Sequence, residues 1–375
     1  MSESSPTPVD DASFARSHRF NSGLRQLRED LGAAGYTEGA IASALGASDP
    51  ERALSETGFH AYFAPDSAAC AESPLVVLTH LYVLNRAVPA HAVTRALGRP
   101  LTELLDSLHM LVEESGQYRG TVSLTPYRSK LFLSDLLFTS EGPQLVTRNP
   151  RADAVMPPHA ATFQVLRQME RPGEAFLDVG CAGGFFALML EEECDRVAGI
   201  DINPRAVAYA EANAALNGSA ATFTTADIAS FSPPEGSLFS DFLFNSPTVP
   251  RYRGRDNEVG QMTARSSLDL VVAAAPRILR PGGTVQVMLI CEVPESYASL
   301  NAMVQEWLVG TPISKLFIAP LDSPHFTVTM EQLRSRRIHG RSLLLEDRAD
   351  AELLCGALAD RGVTHVEPAL VRISL

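Results

Sequence analysis

The stretch FLDVGCAGGFFALML, residues 176–190, predicts the fold of the C-terminal part of this 375-residue chain. A short apolar run ends at Asp178, a turn of small residues follows, and a second apolar run then has helical character. Gly180 and Gly184 permit a tight turn and a close approach of the backbone to a ligand, because glycine has no Cβ. The pattern is typical of a β-strand that passes through a ligand-binding turn into a helix.

Short apolar runs rich in β-branched residues recur after this stretch, and helical patterns separate them. The predicted strands RVAGIDI, ATFTTADI, DFLFN and TVQVMLI alternate with the helical segments PRAVAYAEANAALNG and SSLDLVVAAAPRIL. Strands that alternate with helices indicate βαβ units, and therefore an α/β fold with a largely parallel sheet. The segment from Ser342 to Leu375 is predicted to add a strand, a helix and a strand to that sheet.

The composition favours a packed, acidic protein. Hydrophobic residues make up 45% of the chain, charged residues make up 20%, and the net charge is −13. Proteins that bind nucleic acid normally carry a basic balance, so we expect no nucleic-acid partner. The five cysteines show no Cys-x-x-Cys spacing, and no apolar stretch approaches the roughly 20 residues of a membrane span. We therefore predict a cytoplasmic protein with free thiols and no membrane contact.

The N-terminal part has a different pattern. After a polar tail (residues 1–18), residues 19–148 are mainly helical, as in PLVVLTHLYVLN, VPAHAVTRALG and RPLTELLDSLHMLVEESG. Two β-like runs follow, YRGTVSLTPY and KLFLSDLLF, and this order predicts a helical, winged-helix-like domain. Because TELLDSLHMLVEESG is acidic, a lid, substrate or dimer role is favoured over DNA binding. Residues 149–375 are predicted to form the ligand-binding, catalytic domain.

Acids end three successive predicted strands, at Asp178, Asp201 and Asp227. A nicotinamide dinucleotide fingerprint would need a third glycine where Phe185 stands. The arrangement Asp-Val-Gly-x-Ala-x-Gly, with an acid ending each following strand, instead resembles the first motifs of class I S-adenosylmethionine (SAM) methyltransferases. Ala182 stands where this family usually has a glycine. The resemblance covers about residues 160–308, and it implies a Rossmann-like core with seven mostly parallel strands.

The resemblance also implies which residues bind SAM. The glycine turn would pack against the methionine moiety, and the region of Asp178 would face its ammonium group. Asp201 would accept hydrogen bonds from both ribose hydroxyls, Ile202 would pack on the adenine, and Asp227 would accept a hydrogen bond from the adenine amino group. The predicted cofactor-binding residues are Asp178, Gly180, Ala182, Gly184, Phe185, Asp201, Ile202, Asp227, Ile228 and Asn245.

The stretch FLFNSPTVPRY, residues 242–252, provides the predicted catalytic residues. Asn245 and Pro247 match the Asn-Pro-Pro-Tyr motif of methyltransferases that act on glutamine side chains or on base amines, which implies that Asn245 accepts a hydrogen bond from the target N–H. Serine and threonine replace the first proline and the aromatic residue, so Tyr252, Phe185, Phe186 or an aromatic residue of the N-terminal domain would have to supply a stacking ring. The predicted catalytic residues are Asn245, Ser246, Pro247 and Tyr252. Alternatively, Asn245 only caps a turn, and the enzyme methylates an oxygen or carbon atom instead.

Two further features allow more than one interpretation. Arg251, Arg253 and Arg255 could bind a carboxylate or phosphate, or they could pair with neighbouring acids. His159 could act as a general base, or it could be structural in its proline-rich loop. The sequence contains no histidine or acid cluster with the spacing of a metal site, so we predict no metal.

Three function classes remain open. We favour a SAM-dependent methyltransferase that acts on a nitrogen of a small molecule in specialised metabolism, with methylation of a protein glutamine or a ribosomal RNA base as a lesser alternative. A second possibility resembles the azetidine-2-carboxylate synthases, which cyclise SAM itself and release methylthioadenosine. A third is a SAM-binding regulator that uses the winged module on DNA. A homodimer is compatible with each of them.

Overall fold

The computed structural model describes residues 18–55, 73–136, 138–141, 145–148, 151, 153–247, 262–321, 328–335 and 348–375. Within these ranges, no helix combines the length and the apolar character that crossing a membrane requires. The tail predicted for residues 1–18 lies outside the described residues except for its last position.

Helices and strands follow one another along the described chain. The helices are α1 (His18–Ala33), α2 (Glu38–Ala44), α3 (Pro50–Ser55), α4 (Pro74–Tyr82), α5 (Ala90–Ser107), α6 (Ala160–Gln168), α7 (Phe185–Leu190), α8 (Pro204–Asn217), α9 (Ala264–Ile278), α10 (Leu300–Trp307), α11 (Met330–Ser335) and α12 (Arg348–Asp360). The strands are β1 (Val88–Pro89), β2 (Leu111–Glu114), β3 (Gln117–Gly120), β4 (Ser123–Tyr127), β5 (Lys130–Ser134), β6 (Phe138–Glu141), β7 (Leu145–Arg148), β8 (Ala175–Val179), β9 (Arg196–Asp201), β10 (Thr222–Thr225), β11 (Phe239–Asn245), β12 (Leu279–Pro294), β13 (Lys315–Pro320), β14 (Val328–Thr329) and β15 (Val363–Ser374).

The chain divides into two compact units that are interleaved in sequence. The first unit consists of Met1–Phe163, Cys181–Glu191 and Asn203–Thr225, and the second consists of Gln164–Gly180, Glu192–Ile202 and Ala226–Leu375. The first unit therefore combines the N-terminal helices with α7, α8 and β10. The domain boundary predicted after residue 148 stays a prediction.

The second unit is built on a mostly parallel sheet. Within this unit the strand order is β9-β8-β11-β12-β15-β13, and β14 pairs with β15. Strands β9, β8, β11 and β12 are mutually parallel, whereas β15 is antiparallel to each of its partners. Apolar side chains of β8, β11, β12 and β15 share one buried core with the inner face of α9. The predicted α/β, Rossmann-like fold with a mostly parallel sheet is confirmed.

The first unit begins with helices and then forms short antiparallel sheets. Strands β1, β3 and β2 form one three-stranded sheet, and β4 pairs with β5 in a separate hairpin. The helical pattern predicted through residues 111–114 is wrong, because α5 ends at Ser107 and these residues form β2. Ser115 and Gly116, with φ angles of 53° and 78°, make the two-residue turn that joins β2 to β3. Paired positive φ angles match the twist of a tight hairpin, which favours strand pairing there.

Helix α8 is tied to β5 by two asparagine side chains. Asn213 Oδ1 accepts from the Leu133 backbone N–H (2.7 Å), and its Nδ2 donates to the Leu133 carbonyl (3.0 Å). Asn217 makes the same two bonds with Leu131, at 2.9 and 2.7 Å. A four-residue step along a helix spans about 6 Å and a two-residue step along a strand about 6.6 Å, so the two repeats match. Helix α8 thereby belongs to the core of the first unit.

Candidate functional site

Three polar residues lie at the carboxyl ends of neighbouring strands in the second unit. Asp178 on β8 is aligned with Gly199 on β9 and with Leu243 on β11, so Asp201 and Asn245 each lie two positions further along their strands. Asp178 is buried, whereas Asp201 and Asn245 are half-buried. Parallel α/β sheets place their ligands at this edge. The structure thus brings together the predicted residues of these three strands.

The end of β9 presents a carboxylate beside an exposed apolar side chain. Asp201 is the last residue of the strand, and Ile202 immediately after it is 59% exposed. Large aliphatic side chains usually bury most of their surface, so this exposure leaves apolar area available to a ligand. A carboxylate next to an apolar platform suits a nucleoside, whose sugar offers two hydroxyl donors and whose base offers a flat face. These residues fit the adenosyl part of SAM.

Asp227 is held by the turn that carries it. The Ala226 N–H donates to the Asp201 carbonyl (2.9 Å), which places the turn beside the end of β9. Oδ1 of the exposed Asp227 accepts from the Ala229 N–H (2.8 Å), which is the bond of a residue that caps a turn. Ile228 is buried in the core of the second unit. The structure therefore gives Asp227 a capping bond that fixes its carboxylate, and its contact with adenine stays a prediction.

The turn after β8 has the backbone conformation that its glycines imply. Gly180, Ala182 and Gly184 all have positive φ angles, of 61°, 46° and 78°. A Cβ at Gly180 would lie 3.0 Å from a ring carbon of Phe244, so this position combines a left-handed backbone with a close neighbour. Of these three residues, only Ala182 has a side chain. Its left-handed backbone is therefore strained, at the position where the family usually has a glycine.

Replacing Ala182 with glycine is expected to stabilise the protein by about 0.5–1 kcal/mol, because relief of the left-handed strain exceeds the added flexibility of the unfolded chain. The matched control is Ala273→Gly on the exposed face of α9, which should destabilise by a similar amount. Urea unfolding followed by circular dichroism compares the two variants. Loss of stability in both would contradict the assignment of strain to residue 182.

Phe185 begins α7 and lies in a buried aromatic cluster. Its ring centroid is 5.5 Å from that of Tyr127, 4.9 Å from Phe132, 5.8 Å from Phe163 and 5.3 Å from Phe186. Tyr127 and Phe163 are stacked at 4.4 Å, and all five side chains are buried. The two rings considered as a stacking wall, Phe185 and Phe186, are thus packed against other aromatic residues. The cluster has no local signal in the sequence, since its members come from four separate segments.

The predicted catalytic stretch is described as far as Pro247. Asn245 is the last residue of β11, and Pro247 is exposed. Ser246 is buried, and its hydroxyl donates to the main-chain carbonyl of Met288 on β12 (2.9 Å). Tyr252 and the three predicted anion-binding arginines lie outside the described residues. Their roles stay predictions.

His159 lies directly before α6 in the first unit. Its Nδ1 is 3.2 Å from the Pro157 carbonyl oxygen and 3.3 Å from Thr162 Oγ1, and its own carbonyl accepts from the Phe163 N–H. Burial lowers the pKa of His159 below its usual range, although the contact with the Pro157 carbonyl partly offsets this. These contacts fit a residue that organises the start of α6, which is the structural interpretation of this histidine.

Comparison with known proteins identifies the domain around this sheet. Residues 170–317 match the family model described as "Methyltransferase domain". The chain is 30% identical over 129 residues to a release factor glutamine methyltransferase of Geobacter sulfurreducens, which covers 31% of this chain and 45% of that protein. It is 30% identical over 122 residues to a putative protein N5-glutamine methyltransferase of Methanocaldococcus jannaschii, which covers 30% of this chain and 59% of that protein. The chain thus spans about half the length of these relatives.

Among solved structures, a phosphoethanolamine N-methyltransferase of Haemonchus contortus aligns with 56% of this chain and 50% of its own, at 16% identity and a TM-score of 0.34. The domain match confirms the resemblance that the motifs predicted. Residues 170–317 are a class I SAM-dependent methyltransferase domain, and SAM is the cofactor of that class.

Proposed function

We propose that this protein is an enzyme that transfers the methyl group of SAM to a nitrogen atom of a small molecule. The observation that carries the proposal is the position of Asn245. Its amide stands at the end of β11, in the same row of strand ends as Asp178 and Asp201. A nitrogen that is to receive the methyl group needs a hydrogen-bond acceptor for its N–H close to bound SAM, and the Asn245 amide oxygen would provide it.

Each residue of this row has a part in the proposal. Bound SAM supplies an electrophilic methyl group on a sulfonium. Asp201 and Ile202 would hold the adenosyl part, and Asp178 would lie towards the methionine part. Asn245 would accept a hydrogen bond from the N–H of the substrate that receives the methyl group. This bond would orient the nitrogen lone pair towards the methyl group of SAM. The protein supplies alignment and exclusion of water, with little acid–base chemistry.

Two features favour a small acceptor. Serine and threonine stand where methyltransferases of glutamine side chains or bases have a proline and a stacking aromatic residue, so the wall for a planar macromolecular acceptor is altered. The net charge of −13 also disfavours RNA. We place the protein in the cytoplasm as part of this proposal.

A second candidate acceptor is the side-chain amide of a protein glutamine. The two relatives named above carry glutamine methyltransferase in their names, and the alignment to each is about 30% identical. Asn245 and Pro247, which match the motif of such enzymes, support this candidate. Its target nitrogen would need the same hydrogen-bond acceptor at the end of β11.

Product analysis separates these possibilities. Purified protein is incubated with SAM alone, with SAM and a panel of small amines and amides, and with SAM and a glutamine-containing peptide. S-adenosylhomocysteine that forms only with a small amine or amide supports the proposal, and formation only with the peptide supports the second candidate. Methylthioadenosine released from SAM alone would contradict methyl transfer and support cyclisation. No nucleoside product in any mixture would also contradict the proposal.

Replacing Asn245 with alanine is expected to lower methyl transfer by about 100-fold, since removal of one preorganised hydrogen-bonding group costs roughly that much. SAM affinity measured by calorimetry should change by less than about threefold. Asn301→Ala, at an exposed position on α10 in the same unit, is the matched control and should retain full activity. Equal activity of the Asn245 variant and the wild type would contradict this role and would favour the alternative that Asn245 only caps a turn.

A further inference from the structure

Ser246 is the first residue beyond the paired part of β11. Strand β11 pairs with β12 up to Asn245, which is aligned with Met288. Ser246 is 6% exposed, and its Oγ donates to the Met288 carbonyl at 2.9 Å. The side chain therefore adds one more tie between the two strands after their ladder has ended.

The ladder restrains Asn245 itself, and the Ser246 bond restrains the residue that follows it. Asn245 is aligned with Met288 at the end of the ladder, and the next residue is bound to the same Met288. A serine hydroxyl has a single proton, and here that proton is given to a main-chain carbonyl. A buried hydrogen bond of this kind favours one turn geometry over the others.

We propose that Ser246 is a positioning residue, whose hydroxyl bond to Met288 fixes the orientation of Asn245 at the end of β11. This inference rests on the proposed function for its catalytic consequence. It replaces the direct catalytic role that the sequence motif predicted for Ser246. In the Asn-Pro-Pro-Tyr motif a proline stands at this position and restrains the turn through its fixed φ. Here the hydrogen bond of Ser246 would provide the restraint instead.

The same strand provides a matched control at its other end. Ser240 is also buried, and its Oγ donates to the Ala175 carbonyl on β8 at 2.7 Å. Oγ of Ser240 additionally accepts from the Ala175 N–H at 3.1 Å. Ser240→Ala thus removes two side-chain hydrogen bonds from β11, at the end away from Asn245.

Hydrogen–deuterium exchange tests the proposal without any acceptor. Exchange is followed in peptides that span residues 243–248 in the wild type, Ser246→Ala, Ser246→Thr and Ser240→Ala. Loss of one hydrogen bond predicts about tenfold faster exchange in this peptide for Ser246→Ala. Ser246→Thr keeps a hydroxyl and should return exchange to within about twofold of the wild type. Ser240→Ala should leave this peptide unchanged.

Calorimetry with SAM and turnover with the acceptor found by product analysis complete the test. Ser246→Ala should bind SAM within about threefold of the wild type, while kcat falls about tenfold and KM for SAM is retained. Unchanged exchange in Ser246→Ala, or a rise that extends equally over β15, would overturn the positioning role. A wild-type protein that binds no SAM would reject the proposed function instead, and the exchange comparison would still decide whether the hydroxyl holds the turn.

Discussion

Replacing Asp201 with alanine is expected to weaken SAM binding by about 100-fold or more. Asp201 ends β9 beside the exposed Ile202, where a ribose can offer both of its hydroxyls to one carboxylate. A hydrogen bond to a charged group contributes about 1.5–3 kcal/mol, so the loss of two such bonds exceeds the roughly 2.7 kcal/mol that corresponds to a 100-fold change. Isothermal titration calorimetry measures the affinity directly.

The control for this variant is Asp195→Ala. Asp195 is an exposed carboxylate that directly precedes the other end of β9, so its removal alters the net charge equally but leaves the site edge intact. It should bind SAM within about twofold of the wild type. Equal affinities of the Asp201 and Asp195 variants would show that the end of β9 does not hold the ribose.

Replacing Asp135 with alanine is expected to destabilise the first unit by about 3–5 kcal/mol, because the change removes a buried carboxylate that pairs with a buried guanidinium. Oδ1 of Asp135 accepts from Arg205 Nη2 (2.6 Å) and from the Tyr209 hydroxyl (2.8 Å). Oδ2 accepts from Arg205 Nη1 and from the Val155 N–H, the latter at 2.7 Å. Asp135 and Arg205 are both buried. Urea unfolding followed by circular dichroism measures the loss.

Glu103→Ala is the control for Asp135. Glu103 pairs with Arg99 on α5, and both side chains are mostly exposed, at 62% and 83%. Such surface pairs contribute little, so this variant should change the unfolding free energy by less than about 1 kcal/mol. A loss of similar size in both variants would contradict the importance assigned to burial of the Asp135 ion pair.

Much of the methyltransferase sheet could be predicted from the sequence because its signals are local. The strand that contains Asp178 is followed at once by its turn, and the strand that ends in Asn245 contains the apolar run of residues 242–244. Such runs are typical of strands buried on both faces. Alternation of these runs with helical patterns then predicts parallel pairing, since a parallel connection needs a crossover.

The N-terminal part was harder to predict because its determinants are distant in sequence. The sequence around Asp135 contains no signal that its partner is Arg205, 70 residues later. The local pattern at residues 111–114 predicts a helix, but the Ser115–Gly116 turn and pairing with β3 override it and make this segment a strand.

Only part of the candidate site could be predicted, because some of its contacts also join segments that are distant in sequence. Strand-end carboxylates can be identified one at a time, and parallel topology then brings them to one edge. The bond from Ser246 to Met288 and the burial of Phe185 among other rings depend on packing between segments, which no spacing rule expresses.

Calorimetric titration of SAM into the purified wild-type protein tests the central claim most directly, namely that the ends of β8, β9 and β11 form one SAM site. We predict saturable heat with one SAM bound per chain, and its loss at the same concentrations in Asp201→Ala. Folded wild-type protein that gives no heat of binding, or an Asp201→Ala variant that titrates like the wild type, would contradict this account.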